Sequence, residues 1–306
     1  MDERQTLAAR LADPDLVHYF YLDLDEKALL ARLDNLTLTL TPKSDEAPFN
    51  ALVKGYLAAA DEEGHAWIVK PVASAEEALY HRICTLVYLL DHHTGTLSAP
   101  LVLTKINGVP YRATKVVRKG VQISSYNYLE KPFIDYIRQD LVNRWIYFDE
   151  DRNPNNYIVI QNSKRADFLV AIDFDKADLT TSKMKITGDP EKFGWFRTEK
   201  TRFLTLLRPE HFENQPIELF DVRLKAFSSL DRETLLDLAL QLCRGWSKDP
   251  DGQAAILADN LLERIRYVDE YFRRWFKPET EIKSSGHEED YSAFGKSFLQ
   301  MYSNKK

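Results

Sequence analysis

The stretch DRNPNNYIVIQNSKRADFLVAIDFD runs from Asp151 to Asp175. Its first six residues are short and polar, and the aspartate, asparagines and proline among them all favour turns. Two apolar runs follow, YIVI and FLVAI, separated by QNSKRAD. Runs of this length rich in Val, Ile and Phe read as strands, and the polar link makes them a hairpin. The second strand delivers Asp173-Phe174-Asp175 at its end. A polar loop before a hairpin is either a plain turn or a site where acids and amides meet a metal and a phosphate.

Asp151 and Asn156 stand five positions apart, as Asp-x-x-x-x-Asn. This is the spacing of the catalytic loop of protein kinases. Asp149 has no asparagine at the same offset, because Pro154 stands there, so Asp151 is the better candidate base. An aspartate at the end of the following apolar strand is placed to supply a second hard oxygen ligand.

Working outward, residues 1–35 read as two short helical pieces broken near Pro14, and Leu36–Leu40 as a strand ending at Pro42. FNALVKGYLAA, DEEG and HAWIVKPV form a hairpin with an acidic turn, ending at Lys70. SAEEALYHRICTLVYLLDHHTG is a helix with Ser74 as N-cap, Glu77 at capping-box spacing and Gly95 at the exit. PLVLTKI and YRATKVV flank an Asn107-Gly108 turn, a second hairpin. It runs into a connector at Val117–Gly120. YLEKPFIDYIRQDLVNRWIYF is a helix, and from about Leu204 the chain is helical apart from KDPDG. From Lys277 it is polar and expected to be loose.

The order is a β-rich part with one helix, then helix, loop and hairpin, then helices. It resembles the HipA-like and phosphatidylinositol 3/4-kinase-like branch of the protein-kinase-like superfamily. That branch has Asp-Arg-His-x-x-Asn where this chain has DRNPNN, with Asn153 in the histidine's place. The resemblance covers roughly residues 48–180. It implies an α+β, two-lobed protein-kinase-like fold, with a small β-rich N-lobe and a larger helical C-lobe. The expected division is residues 1–119, a helical extension plus nucleotide-binding lobe; 120–276, the catalytic loop, metal-site hairpin and helical lobe; and 277–306, a polar tail.

By the same resemblance Asp151 is the catalytic base, and Asn156 and Asp173 bind Mg²⁺. Lys70 contacts the ATP phosphates and pairs with Glu77, with Glu76 as second choice. The adenine bonds backbone groups at Val117. The implied activity is transfer of the γ-phosphoryl group of ATP to a hydroxyl, first of a protein Ser/Thr and second of a lipid or inositol headgroup. The competing class is a nucleotide-binding pseudokinase. No Gly-x-Gly-x-x-Gly precedes Lys70, so the phosphate cover falls to KSDEAPFN or DEEG.

Composition agrees with this class. In 306 residues, 44% are hydrophobic and 29% charged, as in an ordinary globular chain. A net charge of −6 gives no pull toward nucleic acid. Two cysteines, Cys84 and Cys243, make no disulfide framework, and a reducing, cytoplasmic setting is expected. FGKS at Phe294–Ser297 lacks the first glycine of a P-loop, since position 290 is Asp290. Tyr267, Tyr271, Phe272, Trp275 and Phe276 recur at helical spacing and are expected in the core, with Arg264, Arg266, Arg273 and Arg274 as a basic face. Thr180, Thr181, Ser182 and Thr187 lie where a kinase has its activation segment.

Overall fold

The computed structural model describes residues 3–42, 55–149, 151–181, 193 and 206–285. The chain opens with three helices, α1 (Glu3–Leu11), α2 (Pro14–Tyr19) and α3 (Glu26–Asp34). Strands β1 (Thr39–Thr41), β2 (Leu57–Ala60) and β3 (Ala66–Pro71) lead to the long helix α4 (Ala75–His93). Strands β4 (Leu101–Ile106) and β5 (Val109–Lys115) complete an antiparallel sheet of order β1-β2-β3-β5-β4. A short strand β6 (Val121–Gln122) and helix α5 (Phe133–Tyr147) follow. Then come β7 (Tyr157–Gln161) and β8 (Asp167–Ala171), which with β6 form a second sheet. Helices α6 (Glu218–Ser228), α7 (Arg232–Cys243), α8 (Pro250–Trp275) and α9 (Glu279–Ser285) close the described chain.

The local signals act through their expected chemistry. Ser74 caps α4 by accepting the Glu77 N–H at 3.0 Å. Glu77 reaches back one residue further than a capping box requires, to the Ala73 N–H at 2.8 Å. At the other end Gly95 takes a left-handed φ of 65°. Thr96 N–H then bonds Asp91 O at 2.8 Å and Gly95 N–H bonds His92 O at 3.2 Å, the paired bonds of a Schellman motif. Asn107 and Gly108 both have positive φ and turn β4 into β5. Asp249 caps α8 with Pro250 in its first turn, so KDPDG starts a helix and the break lies just before it. The polar tail likewise begins as a helix, α9, whose Glu279 N–H bonds the Glu218 carboxylate at 3.1 Å.

One apolar core runs from the sheet through α4 and α5 into α7 and α8. Phe272 and Phe276 sit in it among Trp145, Phe193 and Phe220. The expectation for Arg264 is corrected: it is 1% exposed and faces inward. A second core joins Leu7 and Leu11 of α1 to Ile160, Phe168 and Val170 of the second sheet. The first helix therefore packs beside the β7–β8 hairpin, although it precedes the five-stranded sheet in sequence. Gly120, in the connector between the sheets, allows close approach: a Cβ there would stand 2.1 Å from Ile158 Cγ2.

Candidate active site

The loop at Asp151–Asn156 is held from within by its own amides. Asn153 Oδ1 accepts the Asn155 N–H at 2.9 Å, which fixes the amide's orientation. Its Nδ2 then donates to Asp151 Oδ1 at 2.9 Å. Asn153 thus steers the aspartate, and Asp151 Oδ2 takes no bond from the described residues. Asn156 donates its Nδ2 to Asp151 O at 2.5 Å, leaving its Oδ1 free to accept.

Arg152 ties this loop to the strand that delivers Asp173. Its Nη1 donates to Ile172 O at 2.8 Å, and its Nη2 to Asp173 O. Its Nε donates to Asp149 Oδ2 at 2.8 Å. Ile172 N–H also bonds Asn156 O at 3.0 Å, closing the two strand ends together. Asp173 adopts a left-handed φ of 58°, an uncommon conformation for a residue with a side chain. Its carboxylate is exposed and takes no hydrogen bond or ion pair from the described residues.

Asp149, set aside as a base by spacing, is fully buried between Arg144 (3.2 Å) and Arg152 (2.6 Å). Arg144 also pairs with Asp91 and Asp140, each at 3.0 Å. These attractions hold the Arg144 guanidinium charged against the cost of burial. Both the Arg144 and the Arg152 guanidinium lie 5.0 Å from the centroid of the Phe174 ring. Tyr80 of α4 donates to Asp175 O at 2.7 Å and to Ala177 O at 3.0 Å. The Asp173–Asp175 segment is therefore gripped by both the Asp151–Asn156 loop and the sheet-side helix.

The sheet side departs from expectation in one contact. Lys70 lies opposite Arg112 in the β3–β5 register, so the two share a face. Among the described residues Lys70 has no carboxylate partner; its ammonium stands 5.8 Å from the Tyr56 ring centroid. Glu77 instead accepts the Ala73 N–H and faces His81 at 3.6 Å, and the backbone bond leads the causes that hold its carboxyl low. Glu76 is exposed. The sheet cation that reaches the Asp173–Asp175 segment is Arg112, which pairs with Asp175 and donates to Tyr56 Oη at 2.6 Å. At the connector, Tyr19 donates to Val116 O. The next residue, Val117, keeps its N–H without a partner among the described residues, and its side chain is half-buried with Ile158 and Ile172.

The proinflammatory kinase CtkA of Helicobacter pylori superposes with a TM-score of 0.53 at 10% identity, covering 79% of this chain and 98% of that chain. The fold is kinase-like. A MAP kinase of Leishmania major (TM-score 0.29, 13% identity, 82% of this chain and 88% of that one) scores too low to bear on the fold. So does the choline kinase LicA of Streptococcus pneumoniae (0.25, 12%, 81% and 97%). No protein-family profile and no curated protein matches the sequence.

In this kinase-like frame an implied Mg²⁺ meets a fitting donor set. Among the described residues no three His, Cys, Asp or Glu converge on a point. Mg²⁺ needs only one or two protein oxygens when phosphates supply others, and Asn156 Oδ1 and the Asp173 carboxylate are hard donors of that kind. KSDEAPFN, Ser182, Thr187 and FGKS lie outside the described residues. Thr180 and Thr181 lie within them, and their hydroxyls donate to Asp178.

Sequence reading missed the residues that hold this segment. Arg264 donates to Ile146 O at 3.1 Å, Asp178 O at 2.6 Å and Thr181 O; burial lowers its pKa to about 10. Asn260, one helical turn earlier, donates to Leu179 O and Thr180 O. The i, i+4 spacing of Asn260 and Arg264 on α8 is the one signal that could have shown a shared target. No helix among the described residues is long and apolar enough to cross a membrane.

Proposed function

We propose that this chain is an ATP- and Mg²⁺-dependent kinase that transfers the γ-phosphoryl group to a hydroxyl. The observation that carries the reading is the Arg152 fork. It joins the loop bearing Asp151 and Asn156 to the strand end bearing Asp173. In this reading Asp151 accepts the proton of the incoming hydroxyl on the oxygen that Asn153 leaves open. Asn156 and Asp173 hold Mg²⁺, which when bound neutralises charge on the transferring group. Lys70 meets the phosphates, and the Val117 N–H meets the adenine edge. Residues 1–119 supply the nucleotide lobe and 120–276 the catalytic lobe. The resemblance to the HipA-like branch favours a protein Ser/Thr as acceptor, ahead of a lipid headgroup, and a cytoplasmic setting.

A second reading, a nucleotide-binding pseudokinase, is favoured by the sheet side. Lys70 lacks its Glu77 partner, and Asp175 is already neutralised by Arg112. Thermal shift with MgATP, run beside a transfer assay, separates the two. The kinase shows both signals, and Asp173→Ala loses the Mg²⁺-dependent part of the shift. An unchanged shift in folded Asp173→Ala overturns the metal assignment, and a shift without transfer selects the second reading.

A further inference from the structure

The cavity between α1, α5 and α6 is separate from the catalytic loop. Its volume is about 40 Å³. At roughly 10–15 Å³ per water that is room for a few waters, or for one ion of similar heavy-atom count. Arg223 of α6 lines it and is only 8% exposed. Its Nη1 is fully buried without a hydrogen-bond partner. A buried guanidinium nitrogen left unpaired is costly, and such groups are normally satisfied by protein, water or ion. Arg10 of α1 lines the same cavity and has no ion pair among the described residues. Gln139 adds a neutral polar group to the wall, while the Thr96 hydroxyl there is engaged by Thr94 and Asn143.

Charge balance points the same way. Asp91, Asp140 and Asp149 are buried together with Arg144 and Arg152. Arg223, close enough to feel Asp140 and Asp91, offsets the third acid. Arg10 is then a surplus cation at the cavity. Asp140 also lines it, but its oxygens already accept from Arg144 at 3.0 Å and from Tyr157 at 2.5 Å. The wall therefore presents unused donors from two arginines and an acid whose lone pairs are largely engaged.

We propose that this cavity binds a small tetrahedral oxyanion of the phosphate class, bridging Arg10 and Arg223. The ion fastens α1 to α6, and so couples the N-terminal helix to the helical lobe.

The test is thermal unfolding of the whole chain in inorganic phosphate against chloride at matched ionic strength. Phosphate is expected to raise Tm saturably, and to slow amide exchange in residues 3–11. Arg10→Gln, at an exposed position, should fold normally and weaken half-saturation about tenfold, as expected for loss of one charge-assisted hydrogen bond. Arg223→Met should abolish the shift. Phenyl phosphate in a parallel arm distinguishes sources: a shift like that of phosphate means an esterified phosphoryl group enters, and none means only the free ion does. No phosphate effect beyond chloride overturns the proposal and leaves Arg223 as a counter-charge for Asp140. A shift that survives Arg10→Gln undiminished overturns it equally, because the ion then binds elsewhere.

Discussion

Arg152 donates to the main-chain carbonyl of Asp173, so the arginine beside the candidate base positions the candidate metal ligand. The same side chain bonds Ile172 O and pairs with buried Asp149. Removing it strips the Ile172 and Asp173 carbonyls of their donor and leaves Asp149 with Arg144 as its remaining ion-pair partner. Arg152→Ala is expected to destabilise the chain by about 3–5 kcal/mol, the usual cost of breaking a buried pair from one side. Denaturant unfolding measures this. A loss under about 1 kcal/mol would show that the fork contributes little.

Asn153 stands where the resembled branch has histidine, and its amide holds Asp151 Oδ1 at 2.9 Å. Asn153→Ala frees the Asp151 carboxylate to rotate and leaves the Asn156 and Asp173 side chains in place. The expected result is a fall in kcat of about tenfold, with KM for ATP little changed, because orientation of the base acts in the chemical step. Steady-state kinetics decide it. A rise in KM at constant kcat would mean that Asn153 serves nucleotide binding instead.

His81 sets an acid limit on stability. Burial, aided by the positive charge of Arg112, lowers its pKa to about 4 from 6.5. Between these values the unfolded chain binds the proton and the folded chain does not. Stability therefore rises with pH through that window and is lost as pH falls from about 6.5 to 4, by up to about 3 kcal/mol. His65 is also lowered, chiefly by burial, and acts in the same direction. His81→Gln should flatten the pH dependence of urea midpoints over this range. A wild-type slope retained in full by the variant would assign the effect to other groups.

How much of this was legible depends on how local each cause is. The cap at Ser74, the Asn107-Gly108 turn and the Asp151–Asn156 spacing are encoded within a few residues, and each acts within its own element. The Arg112–Asp175 pair was not legible, because it depends on a strand pairing and a loop path set by distant parts of the chain. Arg152 and Arg264 look like surface cations in sequence. They are buried because each satisfies main-chain carbonyls that no regular element serves. The Lys70–Glu77 expectation failed locally: Glu77 is nearer to the bare Ala73 N–H of its own helix start than to the strand.

The role of Asp151 as base is measured with γ-labelled ATP and Mg²⁺ on the wild type and Asp151→Ala, with MgATP thermal shifts on both. Label is expected on the wild-type chain and none on the variant, with the same thermal shift for each. Equal labelling of the two proteins, or a wild type that binds MgATP and transfers nothing to itself or to added protein, would contradict it.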